Sequence, residues 1–140
     1  MKTLKNLLKE SSECNKYGFV IIKPGFLHLS KQILETFKDH GWEVDQIKTK
    51  KLLHIEAKGL YKVHKNEDFY KDLCNYMSSG LTTGILLKKQ CDGDEFEEIG
   101  KIKDGIRKEY EESDMRNVIH SSDSLESFEN EAKYYFQIIK

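Results

Sequence analysis

The order in which apolar runs and amphipathic segments alternate along the chain constrains its fold most strongly. Residues 17–22 read YGFVII, which is rich in aromatic and β-branched residues and predicts a buried strand. Segments 42–50, 82–87 and 116–119 predict three more strands, and helical patterns lie between and after them. This order predicts an α/β (α+β) ferredoxin-like sandwich, a four-stranded antiparallel sheet covered by helices on one face.

Capping and turn residues predict where these elements begin and end. Pro24 and Gly25 are expected to stop the first strand, because proline lacks a donor and glycine permits unusual dihedrals. The expected N-caps are Ser30, Asn66, Asp94 and Ser124, and the expected C-terminal stops are Gly41 and Gly80. We expect a short helix after Asp94 and a longer final helix that ends at Phe136.

Length and charge limit the classes of protein to which the chain can belong. With 140 residues, a single domain is expected at 16–140, preceded by an amphipathic leader at 1–15 that is favoured as a helix. The net charge of −1 argues against bulk attraction to nucleic acid or to a membrane, so neither is expected as a partner. The three cysteines are widely spaced, and we expect a reducing, cytoplasmic location.

One histidine stands in a position where it can act as a nucleophile. Residues 117–124 read NVIHSSDS, which places His120 at the end of an apolar run and before a polar turn, with Glu131 on the helix that follows. Such a position can hold an imidazole exposed and oriented at the rim of a sheet. From the residues alone, the alternative of a structural histidine at a capped helix entrance stays open.

Three segments together resemble the nucleoside diphosphate kinase family. The first is 18–24 (GFVIIKP), which resembles the family's first strand and Lys-Pro loop. The second comprises YKVH at 61–64, FYKDL at 69–73 and MSSG at 77–80, and the third is the segment 117–124 with Glu131. The resemblance covers most of the chain and implies the ferredoxin-like fold.

The resemblance also implies an activity and its central residues. Family enzymes transfer the γ-phosphoryl group of a nucleoside triphosphate to a nucleoside diphosphate in two ping-pong steps through a phosphohistidine. His120 would be the nucleophile, Glu131 would hold its other ring nitrogen, and Ser122 would hydrogen-bond Glu131. Lys23 and Tyr61 complete the implied catalytic set.

Further residues would bind the nucleotide, which is expected to be ATP, ADP or GTP accompanied by Mg²⁺ on its phosphates. The implied nucleotide-binding residues are Lys23, Tyr61, His64, Phe69, Leu73, Arg107 and Asn117. Phe69 would stack on the base with Leu73 beside it, and Asn117 would contact the sugar. Lys23, Tyr61, His64 and Arg107 would lie near the phosphates, where transfer requires positioning and charge neutralisation.

The sequence also departs from the family pattern. The Lys-Pro loop is shorter, and the region before Arg107 lacks a second phosphate-binding arginine and a threonine. Lys101 or Lys103 could substitute, although charge runs usually lie on a solvated face. Asp114 or Met115 stands where the family places a small apolar residue across the base.

These departures keep other functions open. The alternative is a catalytically weakened nucleotide-binding or interaction module of the same fold, and hydrolysis of a bound nucleotide ranks last. The shortened segment also argues against a hexamer, so the expected assembly is a homo-oligomer, with a dimer through sheet edges or the first helix preferred.

Overall fold

One antiparallel sheet organises residues 15–90 and 94–136, the parts of the chain that the computed structural model describes. Its strands are β1 (Asn15–Ile22), β2 (Glu43–Lys51), β3 (Leu81–Gln90) and β4 (Ile119–Ser121). They pair in the order β2-β3-β1-β4. This topology confirms the predicted ferredoxin-like α/β sandwich. The leader predicted at 1–15 lies almost entirely outside the described residues.

Five α-helices occupy the predicted places between and after the strands in the described residues. They are α1 (Ser30–Asp39), α2 (His54–Leu60), α3 (Tyr70–Met77), α4 (Glu95–Tyr110) and α5 (Leu125–Ala132), with short 3-10 helices at Leu27–Leu29 and Lys62–His64. In the described part of the chain, every helix is too short or too polar to cross a membrane.

Helices cover both faces of the sheet, not one as expected. The reason lies in β1, where alternate side chains point to opposite faces and Phe19 to Ile22 are all fully buried. A strand that is apolar on both faces has to be covered on both. Helices α1 and α4 pack on the face of Val20 and Ile22, whereas α2, α3 and α5 pack on the face of Phe19 and Ile21.

Two of the predicted caps are confirmed, and so is the glycine stop of α1. Asp94 accepts hydrogen bonds from the backbone of Phe96 and Glu97, and Ser124 accepts one from Ser127. After α1, Gly41 has φ +87°, and its N–H donates to Lys38 while that of Trp42 donates to Phe37, which is a Schellman ending.

The predictions for Ser30 and Asn66 were wrong. Ser30 is already helical, and its hydroxyl donates to the carbonyl of Leu27, so it closes the preceding 3-10 turn instead of capping α1. Helix α3 begins after Phe69, because the residues that follow Asn66 form further turns. The turn before each helix determines which backbone groups these side chains bind. The identity of the capping residue does not predict that turn.

Helix α3 runs through Met77, as the sequence predicts, and Gly80 follows it. The limits of three other elements differ from the prediction. Helix α4 has 16 residues and is not short. Helix α5 ends at Ala132, and the chain reaches Phe136 through turns. The fourth strand begins at Ile119, after its predicted start at residue 116.

Candidate active site

A cavity of about 480 Å³ opens beside His120. It is lined by Lys23, Tyr61, His64, Phe69, Leu73, Arg107, Asp114, Met115 and His120, a set that contains seven of the ten residues expected at the site. The other three lie outside this lining: Asn117 is hydrogen-bonded to Lys23, Glu131 to His120, and Ser122 to Glu131. The fold therefore brings the whole predicted set to one place.

Pairing between the central strand β1 and the edge strand β4 places Lys23, which directly follows β1, next to the strand that carries His120. In the antiparallel register of β1 with β4, Ile21 lies opposite His120. Beyond the last pair, the N–H of Lys23 donates to the carbonyl of Val118 at 2.8 Å. Arg107 joins them from α4, where its Nε donates to the carbonyl of Ile119 at 2.9 Å.

His120 is held by a carboxylate on the helix that follows it. Its Nε2 lies 2.6 Å from Oε1 of Glu131, and the hydroxyl of Ser122 donates to the same oxygen at 2.7 Å. Because a carboxylate accepts, this arrangement places the ring proton on Nε2 and the lone pair on Nδ1. Ser122 and Glu131 are buried, so the orientation of the imidazole is fixed from behind.

The backbone immediately before His120 adopts a conformation that a β-branched residue rarely takes. Val118 has φ +79°, and the N–H of Ile119 donates to the carbonyl of Asn117 at 2.9 Å, which closes a three-residue turn. This turn explains why the strand starts at Ile119. Strain of this kind persists where the surroundings determine it, and the Val118 side chain is fully buried.

Tyr61 presents an unpaired hydroxyl beside the histidine. Its ring meets that of His120 edge to face, with centroids 5.5 Å apart. Its hydroxyl is buried and has no hydrogen-bond partner among the described residues. Burial, with a further contribution from the charge of Glu131, raises the pKa of this hydroxyl, so it stays protonated and can donate.

Lys23 is a buried cation held by an amide. Its side chain is 4% exposed, and Nζ donates to Oδ1 of Asn117 at 2.7 Å. The Nδ2 group of Asn117 donates in turn to the carbonyl of Asp114. Burial, followed by the charges of Arg107 and Lys103, lowers the pKa of Lys23 to about 7. Asn117, expected at the sugar, thus acts in this structure on Lys23.

The outer part of the cavity is apolar and aromatic. The rings of His64 and Phe69 lie 5.4 Å apart, and the Phe69 side chain is 44% exposed. Leu73 lines the cavity below them, while Asp114 and Met115, the two positions expected across the base, contribute to the same lining. A planar aromatic ligand would find a stacking surface here.

Sequence reasoning missed a clamp that holds the loop after Lys23. The hydroxyl of Tyr76 donates to the carbonyl of Pro24, and the Arg116 guanidinium lies 5.5 Å from the Phe26 ring and 5.3 Å from the Tyr76 ring. Gly25 has φ +91°, and a Cβ there would come within 2.7 Å of Arg116. These residues are far apart in the sequence and form no motif.

Comparison with known proteins assigns this arrangement to a family. The family model described as nucleoside diphosphate kinase matches residues 16–139. The chain belongs to the nucleoside diphosphate kinase family. The nucleoside diphosphate kinase of Hyperthermus butylicus is 34% identical over 131 residues, covering 84% of this chain and 89% of that protein. That of Thermoplasma volcanium is 31% identical over 130 residues, covering 84% and 86%.

A solved structure agrees with this membership of the nucleoside diphosphate kinase family. The crystal structure of the Aquifex aeolicus nucleoside diphosphate kinase superimposes with a TM-score of 0.73 at 25% identity. The superposition covers 87% of this chain and 95% of that one. The family resemblance stated from the sequence is therefore confirmed.

Proposed function

We propose that the chain transfers the γ-phosphoryl group of a nucleoside triphosphate to a nucleoside diphosphate, with His120 as the phosphoryl carrier. One observation carries this proposal: Nε2 of His120 is bound to Glu131 at 2.6 Å while the ring lines a cavity that also holds Lys23 and Arg107. An oriented nucleophile facing two cations suits attack on a phosphate.

The two half-reactions balance at this histidine. In the first, the lone pair on Nδ1 of His120 forms a bond to the γ-phosphorus, the bond from that phosphorus to the bridging oxygen breaks, and the nucleoside diphosphate leaves with the electron pair. Glu131 offsets the positive charge that develops on the ring. In the second, a terminal β-phosphate oxygen of the acceptor attacks the phosphorus, and the N–P bond returns its electrons to Nδ1.

The cations and the buried hydroxyl around His120 are suited to the transferred group. Lys23 and Arg107 would neutralise the phosphate oxygens, and Tyr61 would donate to one of them, which would supply its unpaired hydroxyl with an acceptor. His64 would contact a phosphate from the outer side of the cavity. These roles are inferred from the position of each side chain in the cavity lining and from its charge or its ability to donate a hydrogen bond.

The nucleoside would occupy the apolar part of the same cavity. Phe69 would stack on the base with Leu73 beside it, and Asp114 with Met115 would face the base from the other side. Every base offers a π-face, so ATP, ADP and GTP all suit this surface. The sugar would then lie near Asn117.

Magnesium would arrive as part of the nucleotide substrate. Among the described residues, no group of three or more His, Cys, Asp or Glu side chains could hold a metal ion. The charged side chains of the lining are the cations Lys23 and Arg107 against the single carboxylate of Asp114, a balance that favours phosphate oxygens over a free divalent ion. Mg²⁺ carried on the phosphates would add charge neutralisation during the transfer.

We further propose that residues 16–140 form the kinase domain, that 1–15 is a leader, and that the protein acts in the cytoplasm as a homodimer. Strand β2 is an edge of the sheet and carries half-exposed Val44 and Ile47, which supports pairing with a second copy. Sedimentation equilibrium would test the dimer, with a double Val44→Lys and Ile47→Lys variant expected to be monomeric.

Initial rates test the transfer itself. The concentration of ATP is varied at several fixed concentrations of GDP, and formation of GTP is measured. A ping-pong mechanism gives parallel lines in the double-reciprocal plots. Lines that intersect would contradict a phosphoenzyme route, and wild type that binds nucleotide without forming GTP would support the weakened binding module instead. His120→Gln is the matched inactive variant.

A further inference from the structure

We propose that Lys103 is a phosphate-binding residue of this site, contacting the nucleotide phosphates together with Lys23 and Arg107. The proposal rests on the proposed phosphoryl transfer and names one further residue for it. Sequence alone left Lys101 and Lys103 as equal candidates, with both expected on a solvated face. The structure separates them.

Helix register places Lys103 on the flank of α4 that faces the site. It precedes Arg107 by four residues, so the two side chains leave the same flank one turn apart. Ile102 and Ile106 turn into the core, and Arg107 reaches β4 through its bond to Ile119, next to His120. Lys103 is thus directed towards the end of β4.

Lys103 is half-buried and has no hydrogen bond or ion pair among the described residues. Three other half-buried lysines pair with a carboxylate, Lys16 with Glu95 at 3.1 Å, Lys50 with Glu56 at 2.8 Å, and Lys89 with Glu98, whereas half-buried Lys88 has no such pair among the described residues. Withdrawing an ammonium from water without a counter-ion is unfavourable. A bound phosphate supplies the missing anion.

Charged groups of the site act on the Lys103 ammonium. Burial, followed by the charge of Arg107, lowers the pKa of Lys103, whereas the carboxylates of Asp104, Asp123 and Glu131 raise it. Lys103 in turn acts on Lys23. Lys23 and Arg107 line the cavity, and Lys103 stands one helical turn from Arg107, outside the lining itself. Three cations that repel one another beside one cavity suit a polyanion, because the ligand relieves their repulsion.

Lys101 provides the matched control. It lies on the same helix, but its side chain is 76% exposed and pairs with Glu97 at 3.2 Å. A lysine so placed is solvated, and its charge is already paired. Lys101→Met therefore removes the same charge from the same helix without removing a phosphate contact.

Binding of Mg·ADP, inorganic pyrophosphate and adenosine is measured calorimetrically on wild type and on the variants Lys103→Met, Lys103→Gln, Lys103→Arg and Lys101→Met. We expect Lys103→Met and Lys103→Gln to weaken Mg·ADP and pyrophosphate binding about tenfold or more, the loss of one charge-assisted contact. Adenosine binding stays unchanged, Lys103→Arg restores most of the affinity, and Lys101→Met stays within about twofold of wild type. Thermal unfolding of each variant verifies that it is folded.

Two results would overturn the inference while leaving the proposed function intact. One is Lys103→Met and Lys103→Gln variants that bind Mg·ADP as tightly as wild type. The other is a fall in kcat with nucleotide affinity unchanged, which would assign Lys103 to the His120–Glu131 pair. The proposed function would be overturned by a wild-type protein that binds Mg·ADP but forms no GTP from ATP and GDP. In that case the binding measurements would still show whether Lys103 contacts the phosphates.

Discussion

Oε1 of Glu131 lies 2.6 Å from Nε2 of His120, so the carboxylate fixes both the orientation and the tautomer of the imidazole. Ser122 donates to the same oxygen at 2.7 Å and holds the carboxylate in turn. The chain thus orients its nucleophile through two buried side chains on α5 and just after β4. This relationship has consequences that mutation can measure.

Glu131→Gln removes the charge and keeps the shape. We expect the rate of histidine phosphorylation to fall about 10- to 100-fold, because a charged hydrogen bond contributes roughly 1.5–3 kcal/mol and the charge on the ring is no longer offset. Rapid-quench measurement of the first half-reaction gives this rate. Ser122→Ala removes only the hydrogen bond that holds the carboxylate, so a smaller fall in the rate is expected. Equal falls in the two variants would contradict the view that Glu131 acts directly on His120 and Ser122 acts through Glu131.

Tyr61→Phe is expected to change activity and stability in opposite directions. The buried hydroxyl has no partner among the described residues, so its removal raises the free energy of unfolding by about 1 kcal/mol. The same change removes a donor to the phosphates and lowers kcat/KM about 3- to 10-fold. Denaturant unfolding and steady-state kinetics measure the two effects.

Tyr135→Phe is the matched control for this substitution. Its hydroxyl is paired with Thr82 at 2.5 Å, and Tyr135 is not among the residues that line the cavity. Its loss is therefore expected to lower stability while activity is kept. A Tyr61→Phe variant that is less stable than wild type would mean that its hydroxyl is paired in solution.

The lowered pKa of Lys23 predicts how nucleotide binding depends on pH. Its pKa in the free protein is lowered to about 7, so above that pH the ammonium is largely deprotonated, and bound phosphates favour the protonated form. Binding of Mg·ADP at pH 8 is thus accompanied by proton uptake, and affinity falls as the pH rises above about 7. Below that pH Lys23 is already charged, and the uptake disappears.

Calorimetry in buffers of different ionisation enthalpy measures this proton uptake directly. Lys23→Met is the control and is expected to lose the uptake at pH 8 together with most of the affinity. Equal proton uptake by wild type and Lys23→Met would assign the titration to another group and contradict the role given to Lys23.

Phe69→Ala tests the place of the base. Because the side chain is 44% exposed, we expect little change in stability, whereas loss of stacking worth about 1–3 kcal/mol raises the Kd for ADP roughly 5- to 100-fold. Pyrophosphate binding stays unchanged. Val63→Ala, at a 77% exposed position nearby, is the control, and a parallel loss of pyrophosphate affinity in Phe69→Ala would argue against a base-stacking role.

The sequence predicted the features of the fold that depend on residues close together in the chain. The apolar runs predicted the strands and their order, and Asp94, Ser124 and Gly41 predicted helix limits because each acts on backbone groups within a few residues. The placement of His120 beside Lys23 followed from strand pairing once the fold class was assigned.

The remaining differences arise from contacts between distant parts of the chain. The turn at Val118, which shortens the fourth strand, is held by its buried surroundings and has no sequence signature. The clamp of Tyr76 and Arg116 on the loop after Lys23 joins residues about 50 and 90 positions away, and no spacing reveals it. The four-residue separation of Lys103 and Arg107, however, is a sequence signal that helical periodicity provides.

The phosphoenzyme tests the central claim most directly. Purified protein is incubated with γ-labelled Mg·ATP and no acceptor, separated from nucleotide, and then divided for acid treatment, base treatment and a chase with GDP. We predict one label per chain on His120, which is lost in acid, kept in base and transferred to GDP to give labelled GTP. Wild type that remains unlabelled while it binds Mg·ATP, or a His120→Gln variant that is labelled equally, would contradict the account.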